Sequence, residues 1–259
     1  MSKNKKSVLI NGCLGRMGYS IINELMNNFP NIILKYAIER DDHPLIGTEL
    51  YKNLQVTKFQ NNFEVDFIID FSSPKSSLAI TRAAAKLKIP IVIGTTGFNN
   101  KNLNELKKLS KKIPILQSYN MSIGINMLIK IMRDNFKYFK NTDLEILEKH
   151  HSQKIDSPSG TALLIAENLA SLKKKNLKSF IKFRNLSNNM KRKKDEVGIS
   201  SIRGGNVIGE HTLFSYSEKE SLSITHQAHD RSVFAQGAIE LGLKLLKKKT
   251  GFFNVTDLL

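Results

Sequence analysis

Over the first 117 positions the apolar residues fall into two alternating patterns. Short runs rich in Ile, Val and Leu at 7–11, 32–38, 67–70, 91–93 and 115–117 predict strands. Between them, 16–28, 76–87 and 100–111 carry apolar residues at helical spacing and predict helices. Strands apolar on both faces, in βαβα order, predict a parallel sheet covered by helices on each side. Residues 41–64 lack clear periodicity and read as a surface excursion with one edge strand at 54–57.

Beyond residue 122 the pattern changes. A long helical stretch at 123–139 is followed by runs at 143–148, 200–203, 211–215 and 221–225, where apolar and polar residues alternate. That alternation predicts an antiparallel sheet with one wet face, and a second domain over about 122–231. A helix is predicted at 161–172, and a long amphipathic one at 232–248 that pattern alone assigns to neither domain.

Composition narrows the class. A chain of 259 residues with 41% hydrophobic content can bury one large core or two modest ones. Cys13 is the sole cysteine, which excludes an intramolecular disulfide and a cysteine-built metal site and suits a reducing, cytoplasmic setting. The basic start is followed by an apolar stretch that breaks at once at Asn11 and Gly12, so no signal peptide is expected. No run approaches the roughly 20 apolar residues of a membrane helix. The 40 basic and 23 acidic residues leave a net charge of +17. Its lysines are spread over helix faces and tails with few interleaved aromatics, so a positive field that steers anions is expected rather than a nucleic-acid partner.

Two segments carry candidate chemistry. The first strand runs into Gly12, Cys13, Leu14, Gly15, Arg16, Met17 and Gly18 and then a helix, the setting in which glycines accommodate a dinucleotide pyrophosphate. The spacing is Gly-x-x-Gly-x-x-Gly, with Leu14 where the stricter pattern has its middle glycine. The second strand ends at Glu39, placed for a ribose hydroxyl, and Arg40, able to meet a 2′-phosphate or stack on adenine. Later strand ends add Gly94, Thr95 and Thr96, then Ser118, Tyr119, Asn120 and Met121. Asp70 and Ser72 read as a helix cap, and Cys13 as a packing residue rather than a nucleophile.

The other segment is 148–161. His150 and His151 titrate near neutrality, Lys154 adds a cationic donor, and Ser159, Gly160 and Thr161 lead into a helix whose free N–H groups bind carboxylate or phosphate. An acid/base group beside an anion site points to an acidic small-molecule substrate. Adjacent histidines lack the i, i+4 spacing of helical zinc ligands, so no metal is expected.

Together with residues 120–126 and 209–212, these motifs resemble the bacterial 4-hydroxy-tetrahydrodipicolinate reductases, also called dihydrodipicolinate reductases, over essentially the whole chain. The resemblance implies an α/β protein with a Rossmann-like parallel-sheet domain (1–121, with 232–259 returning to it). It also implies a second α+β domain (122–231) whose mixed or antiparallel sheet binds substrate and builds a homotetramer. The implied reaction moves a hydride from NADH or NADPH to a cyclic dicarboxylate of lysine and diaminopimelate biosynthesis. By the same resemblance His150 is the acid/base residue and Lys154 the proton donor, while His151, Ser159, Gly160 and Thr161 contact substrate carboxylate. Gly12, Cys13, Leu14, Gly15, Arg16, Met17, Glu39, Arg40, Gly94, Thr95, Thr96, Ser118, Tyr119, Asn120 and Met121 correspond to cofactor contacts. Leu14, Lys149 and Ser157 depart from the family's usual smaller residues. Another NAD(P)-dependent amino-acid dehydrogenase would share the cofactor half without the histidine-lysine segment. A cofactor-sensing protein would not need His150 and Lys154.

Overall fold

Strands apolar on both faces belong inside a sheet, and the fully buried runs 67–70 and 91–93 lie there. The computed structural model describes residues 5–51, 53–183 and 191–259. Its first sheet contains β1 (Lys6–Asn11), β2 (Ile32–Ile38), β3 (Glu49–Tyr51), β4 (Leu54–Thr57), β5 (Phe67–Asp70), β6 (Ile91–Ile93), β7 (Pro114–Gln117) and β13 (Gly251–Phe253), in the spatial order β13-β7-β6-β5-β1-β2-β4-β3. Every pairing is parallel except the β3–β4 edge.

Strand alternation sorts the side chains to two cores. Val8, Ile10, Phe67 and Ile69 face the layer of α1 (Arg16–Asn28) and α8 (Ser232–Leu245). Leu9, Ile68, Ile91 and Ile93 face α2 (Pro74–Leu87) and α3 (Asn100–Leu109). All eight are fully buried. Helix α2 starts two residues before its predicted position because Pro74 occupies its first turn and the Ser73 hydroxyl accepts from the Ser76 N–H. Ser73, not Asp70 or Ser72, is therefore the cap.

The chain forms two compact units: residues up to Ile123 together with Ser232–Leu259, and Gly124–Arg231. Helix α8 lies in the first, where a side chain at Gly237 would strike the Met121 carbonyl at 2.0 Å.

The second unit holds α4 (Ile123–Asp134, all but its first residue), α5 (Phe136–Phe139), β8 (Asp143–His150), α6 (Gly160–Leu172), α7 (Leu177–Phe180), β9 (Ile181–Lys182), β10 (Val197–Arg203), β11 (Gly209–Tyr216) and β12 (Ser221–Ala228). Its five strands run in the order β12-β11-β8-β10-β9. The expectation of an antiparallel sheet holds for β12-β11-β8, whereas β8-β10-β9 is parallel, so the sheet is mixed. The physical reason is the crossover: α6 and α7 return the chain to the starting end of β8 before the next strands begin. The expected helix at 123–139 breaks at Asn135, whose side-chain amide and backbone N–H both donate to the Ile131 carbonyl. Among the described residues no helix is long and apolar enough to cross a membrane.

Another close approach in the first unit lies where α1 meets the turn before it. A methyl group at Gly18 would sit 2.1 Å from the Gly12 carbonyl oxygen and 2.7 Å from Cys13 Cα, both backbone atoms that cannot rotate away. Gly18→Ala is expected to cost about 1–3 kcal/mol or more through overpacking. Gly204→Ala, with open space around it, is expected to stay within about 0.5 kcal/mol. Urea melts of the two variants beside the parent check this, and equal midpoints would refute it.

Candidate active site

In the first unit the site is made mainly of backbone. Gly12 has φ +83°, and any Cβ there would lie 2.3 Å from the Phe71 carbonyl oxygen, so glycine alone fits. The Gly12 and Cys13 N–H groups donate to the Ile38 carbonyl at 2.8 and 3.1 Å, tying the turn to the end of β2. There Glu39 closes the arrangement: its carboxylate accepts from the Leu14 N–H at 3.1 Å and from the Arg40 N–H at 3.0 Å. Gly15 is the N-cap of α1 and supplies no side-chain cap, which leaves the first-turn N–H groups for an anion.

A hollow of about 270 Å³ opens here, lined by Asn11, Gly12, Gly15, Glu39, Arg40, Phe71, Ser72, Ser73 and Ser76. Its chemistry fits a nucleotide: a side-chain-free turn at a helix start for phosphate, a carboxylate for ribose hydroxyls and an exposed guanidinium beside them. Arg40 is paired only loosely, with Asp42 at 3.5 Å. Leu14 leaves the turn intact, because its backbone, not its side chain, meets Glu39.

Beneath the hollow lies a buried polar knot. Asp70 is completely buried and accepts from Asn11 Nδ2 (2.6 Å), Ser72 Oγ (2.6 Å) and Thr95 Oγ1 (2.7 Å). Burial pushes its carboxyl up, and these neutral donors only partly offset it. Thr95 is thus occupied inside the protein, while Thr96 beside it is exposed. Ser118 and Asn120 bond to each other around an exposed Tyr119, and Met121 is buried. Arg16 is exposed and Met17 half-buried on the first turn of α1. Cys13 is buried in the α1 core, where burial first and the Glu39 charge second push its thiol up to about 12. That setting suits a packing role rather than a nucleophilic thiolate.

In the second unit β8 sets the geometry. Its buried face reads Leu144, Ile146, Glu148, His150, so the alternation that puts two apolar residues inside also puts an acid and an imidazole there. Glu148 is wholly buried and accepts four hydrogen bonds: Arg203 Nη1 at 2.9 Å and His150 Nδ1 on Oε2, and Arg203 Nη2 at 2.7 Å and the Ser159 N–H at 3.3 Å on Oε1. Burial alone would raise its carboxyl, but Arg203 foremost, then the Ser201 hydroxyl and His150, hold it down at about 2. His150 is shifted down by burial, with the Glu148 bond acting against that shift.

The loop after β8 brings up the rest. Lys154 Nζ grips both oxygens of Asp156 at 2.7 and 2.9 Å, and Arg203 Nη2 also donates to the Asp156 carbonyl at 2.8 Å. Helix α6 begins one residue earlier than expected, at Gly160, with Ser159 as N-cap accepting from the Ala162 N–H. The Ser159 hydroxyl also contacts His211 Nε2 at 3.0 Å, so its side chain is committed internally while Gly160 faces open space. The His211 ring stands edge-on to His150, with centroids 5.1 Å apart, and burial pushes it down to about 3. Arg231 Nη2 lies 3.5 Å from His151 Nε2.

The structure thus brings His150, Lys154, Ser159 and the start of α6 together in the second unit, with His151 at the edge beside Arg231. Sequence reasoning placed Glu148 and Asp156 in the 148–161 segment and His211 in the 209–212 match without giving them roles, and did not single out Arg203 or Arg231. An acid in phase with Leu144 and Ile146 was the available signal for Glu148. Nothing local shows that Arg203, 55 residues away, meets it. Among the described residues no group of three or more His, Cys, Asp or Glu is placed to hold a metal.

Family models for dihydrodipicolinate reductase match the chain twice, its N-terminal part over residues 6–121 and its C-terminal part over 124–259. A 4-hydroxy-tetrahydrodipicolinate reductase of Buchnera aphidicola subsp. Cinara cedri is 42% identical, covering 99% of this chain and 98% of that protein. One from Caldanaerobacter subterraneus subsp. tengcongensis is 36% identical, covering 97% of each. The dipicolinate-bound dihydrodipicolinate reductase from Paenisporosarcina sp. TG-14 shares the fold with a TM-score of 0.78, at 23% identity over 98% of this chain and 99% of that one.

The buried histidine has a consequence for stability. A folded value of about 3 against 6.5 means that the unfolded chain binds a proton at His211 that the folded chain refuses. The contribution is complete above pH 6.5 and is lost as pH falls towards 3. His211→Gln is expected to flatten the fall in unfolding free energy between pH 6.5 and 4.5, where carboxylates titrate little. Urea melts across that range measure the slope, and an unchanged slope would contradict the assignment.

Proposed function

The chain belongs to the dihydrodipicolinate reductase family, and we propose on that premise that His150 and Lys154 manage the protons of its reaction while the start of α6 holds the substrate. It is an NAD(P)H-dependent oxidoreductase of lysine and diaminopimelate biosynthesis that reduces 4-hydroxy-tetrahydrodipicolinate to tetrahydrodipicolinate, with loss of water. The observation that carries the residue assignment is the shared anchor at Glu148. One carboxylate bonds both the His150 ring and the Ser159 N–H at the helix start, so the acid/base group and the anion site are built as one piece.

Each residue has a distinct task. The Gly160 and Thr161 N–H groups bind one substrate carboxylate at the positive end of α6, which orients the ring. Lys154 pairs with a carboxylate and donates a proton as charge develops; its bidentate hold on Asp156 supports that reading, since the substrate offers the same group. His150 exchanges a proton through Nε2, the nitrogen that Glu148 leaves free. His151, with Arg231 beside it, adds donors for the second carboxylate. The bound nucleotide supplies the hydride.

In the first unit Gly12 to Met17 take the pyrophosphate, Glu39 the adenosine ribose and Arg40 either a 2′-phosphate or the adenine face, which equips the protein for NADH and NADPH alike. Gly94, Thr95, Thr96 and residues 118–121 are assigned to the nicotinamide end. The protein works in the cytoplasm as a homotetramer joined through the second unit's sheet. The exposed Ile202, Tyr216 and Leu222 on its strands support that assembly.

Oxidation of NAD(P)H, followed by absorbance with enzymatically generated substrate, tests both halves. Lys154→Ala is expected to lower turnover by about 10²–10⁴ with nucleotide affinity unchanged; near-normal turnover would remove Lys154 from the mechanism. Arg40→Ala is expected to raise the KM for NADPH more than that for NADH, and equal effects would sink the phosphate assignment.

A further inference from the structure

We propose that Glu148, held by Arg203, is the positioning residue that keeps the proton of neutral His150 on Nδ1 and so makes Nε2 the nitrogen that exchanges protons with substrate. This deepens the assignment of His150 as the acid/base group and rests on it.

The argument is one of hydrogen-bond capacity. An ionised carboxylate accepts at about four lone-pair sites and donates nothing. The two oxygens of Glu148 already receive four bonds, from Arg203 twice, Ser159 and His150. A group facing such a carboxylate must donate, and the ring nitrogen that faces it is Nδ1. The neutral imidazole has one proton, so Nε2 keeps its lone pair. Arg203 makes the arrangement possible in a wholly buried place, because its planar fork matches both carboxylate oxygens and supplies the opposite charge.

The same contacts join three pieces of chain. Arg203 reaches from Glu148 to the Asp156 carbonyl, in the turn whose Lys154 is the proposed donor. Ser159, on the other oxygen, caps α6. Displacing Glu148 would therefore move the ring, the lysine turn and the anion site together.

Four charged or titratable groups act on the His150 ring: Glu148 from its own strand, Arg203 from β10, His211 from β11 and Lys154 from the following turn. Glu148 is the one acid of the four. Its loss removes the group that favours the protonated ring and leaves Arg203 and Lys154, which oppose it.

The test compares Glu148→Gln, Glu148→Asp and His150→Gln with the parent across pH at saturating NADH. For Glu148→Gln, kcat is expected to fall about 100-fold, with the KM for NADH unchanged, and the limb of the pH profile set by His150 is expected to move to lower pH. Glu148→Asp keeps the charge and is expected to bring that limb back towards the parent position. A fall in amplitude with the limb unmoved would indicate a merely structural role and overturn the proposal. A measurement on the unmutated protein guards against variants that do not fold: with ¹⁵N-labelled histidine, the neutral His150 ring is expected to show Nδ1 protonated and Nε2 bare, and the reverse overturns the proposal. An inactive His150→Gln beside a fully active Glu148→Gln would overturn this inference alone. A fully active His150→Gln would remove the acid/base assignment beneath it as well.

Discussion

A carboxylate taken out of water must have its lone pairs filled, and Glu148 meets that condition by drawing separate parts of the chain to one point. The Arg203 guanidinium comes from the end of β10, the His150 ring from the same face of β8, and the Ser159 N–H from the start of α6. Each of these could be replaced by water at a surface, but none can be in a fully buried site. Removing one partner of such a pair typically costs about 3–5 kcal/mol, because the remaining charge has nowhere to go. The geometry of the second unit's chemistry therefore follows from one electrostatic requirement.

The first unit contains a useful contrast. Asp70 is as deeply buried as Glu148, yet its partners are an amide and two hydroxyls, with no cation among these donors. Burial then wins and the carboxyl is pushed up, whereas the Arg203 fork holds Glu148 down. Two acids at strand ends are thus driven in opposite directions by what surrounds them. Asp70 knots the ends of β1, β5 and β6 beneath the hollow beside Gly12. Glu148 is held ionised beside the His150 ring.

Some of this was readable along the chain. Runs such as 67–70 and 91–93 are apolar at every position but the last of the first run, which only a strand covered on both sides tolerates, and the parallel sheet followed. The turn at Gly12–Gly18 was legible because a side chain at Gly12 or Gly18 would collide with backbone. The break at Asn135 and the three-residue β13 were not legible, since the first turns on a single side-chain bond and the second is too short to show a period. The parallel β8–β10 pairing escaped because alternation reports which face is wet, not which way a neighbour runs.

For the candidate site the division is sharper. The sequence by itself determined which chemistries were available: imidazoles at 150 and 151, an ammonium at 154, a helix start at 159–161, and an acid with a guanidinium after the second strand. These depend on residue type and local spacing, which a chain carries without folding. Tertiary structure alone decided that Glu148 faces Nδ1 of His150, that Arg203 crosses from another strand to neutralise it, that His211 is buried against the ring, and that Lys154 already holds a carboxylate. Those pairings join residues up to 61 positions apart, from His150 to His211. Only a folded core removes the water that would otherwise satisfy each group separately.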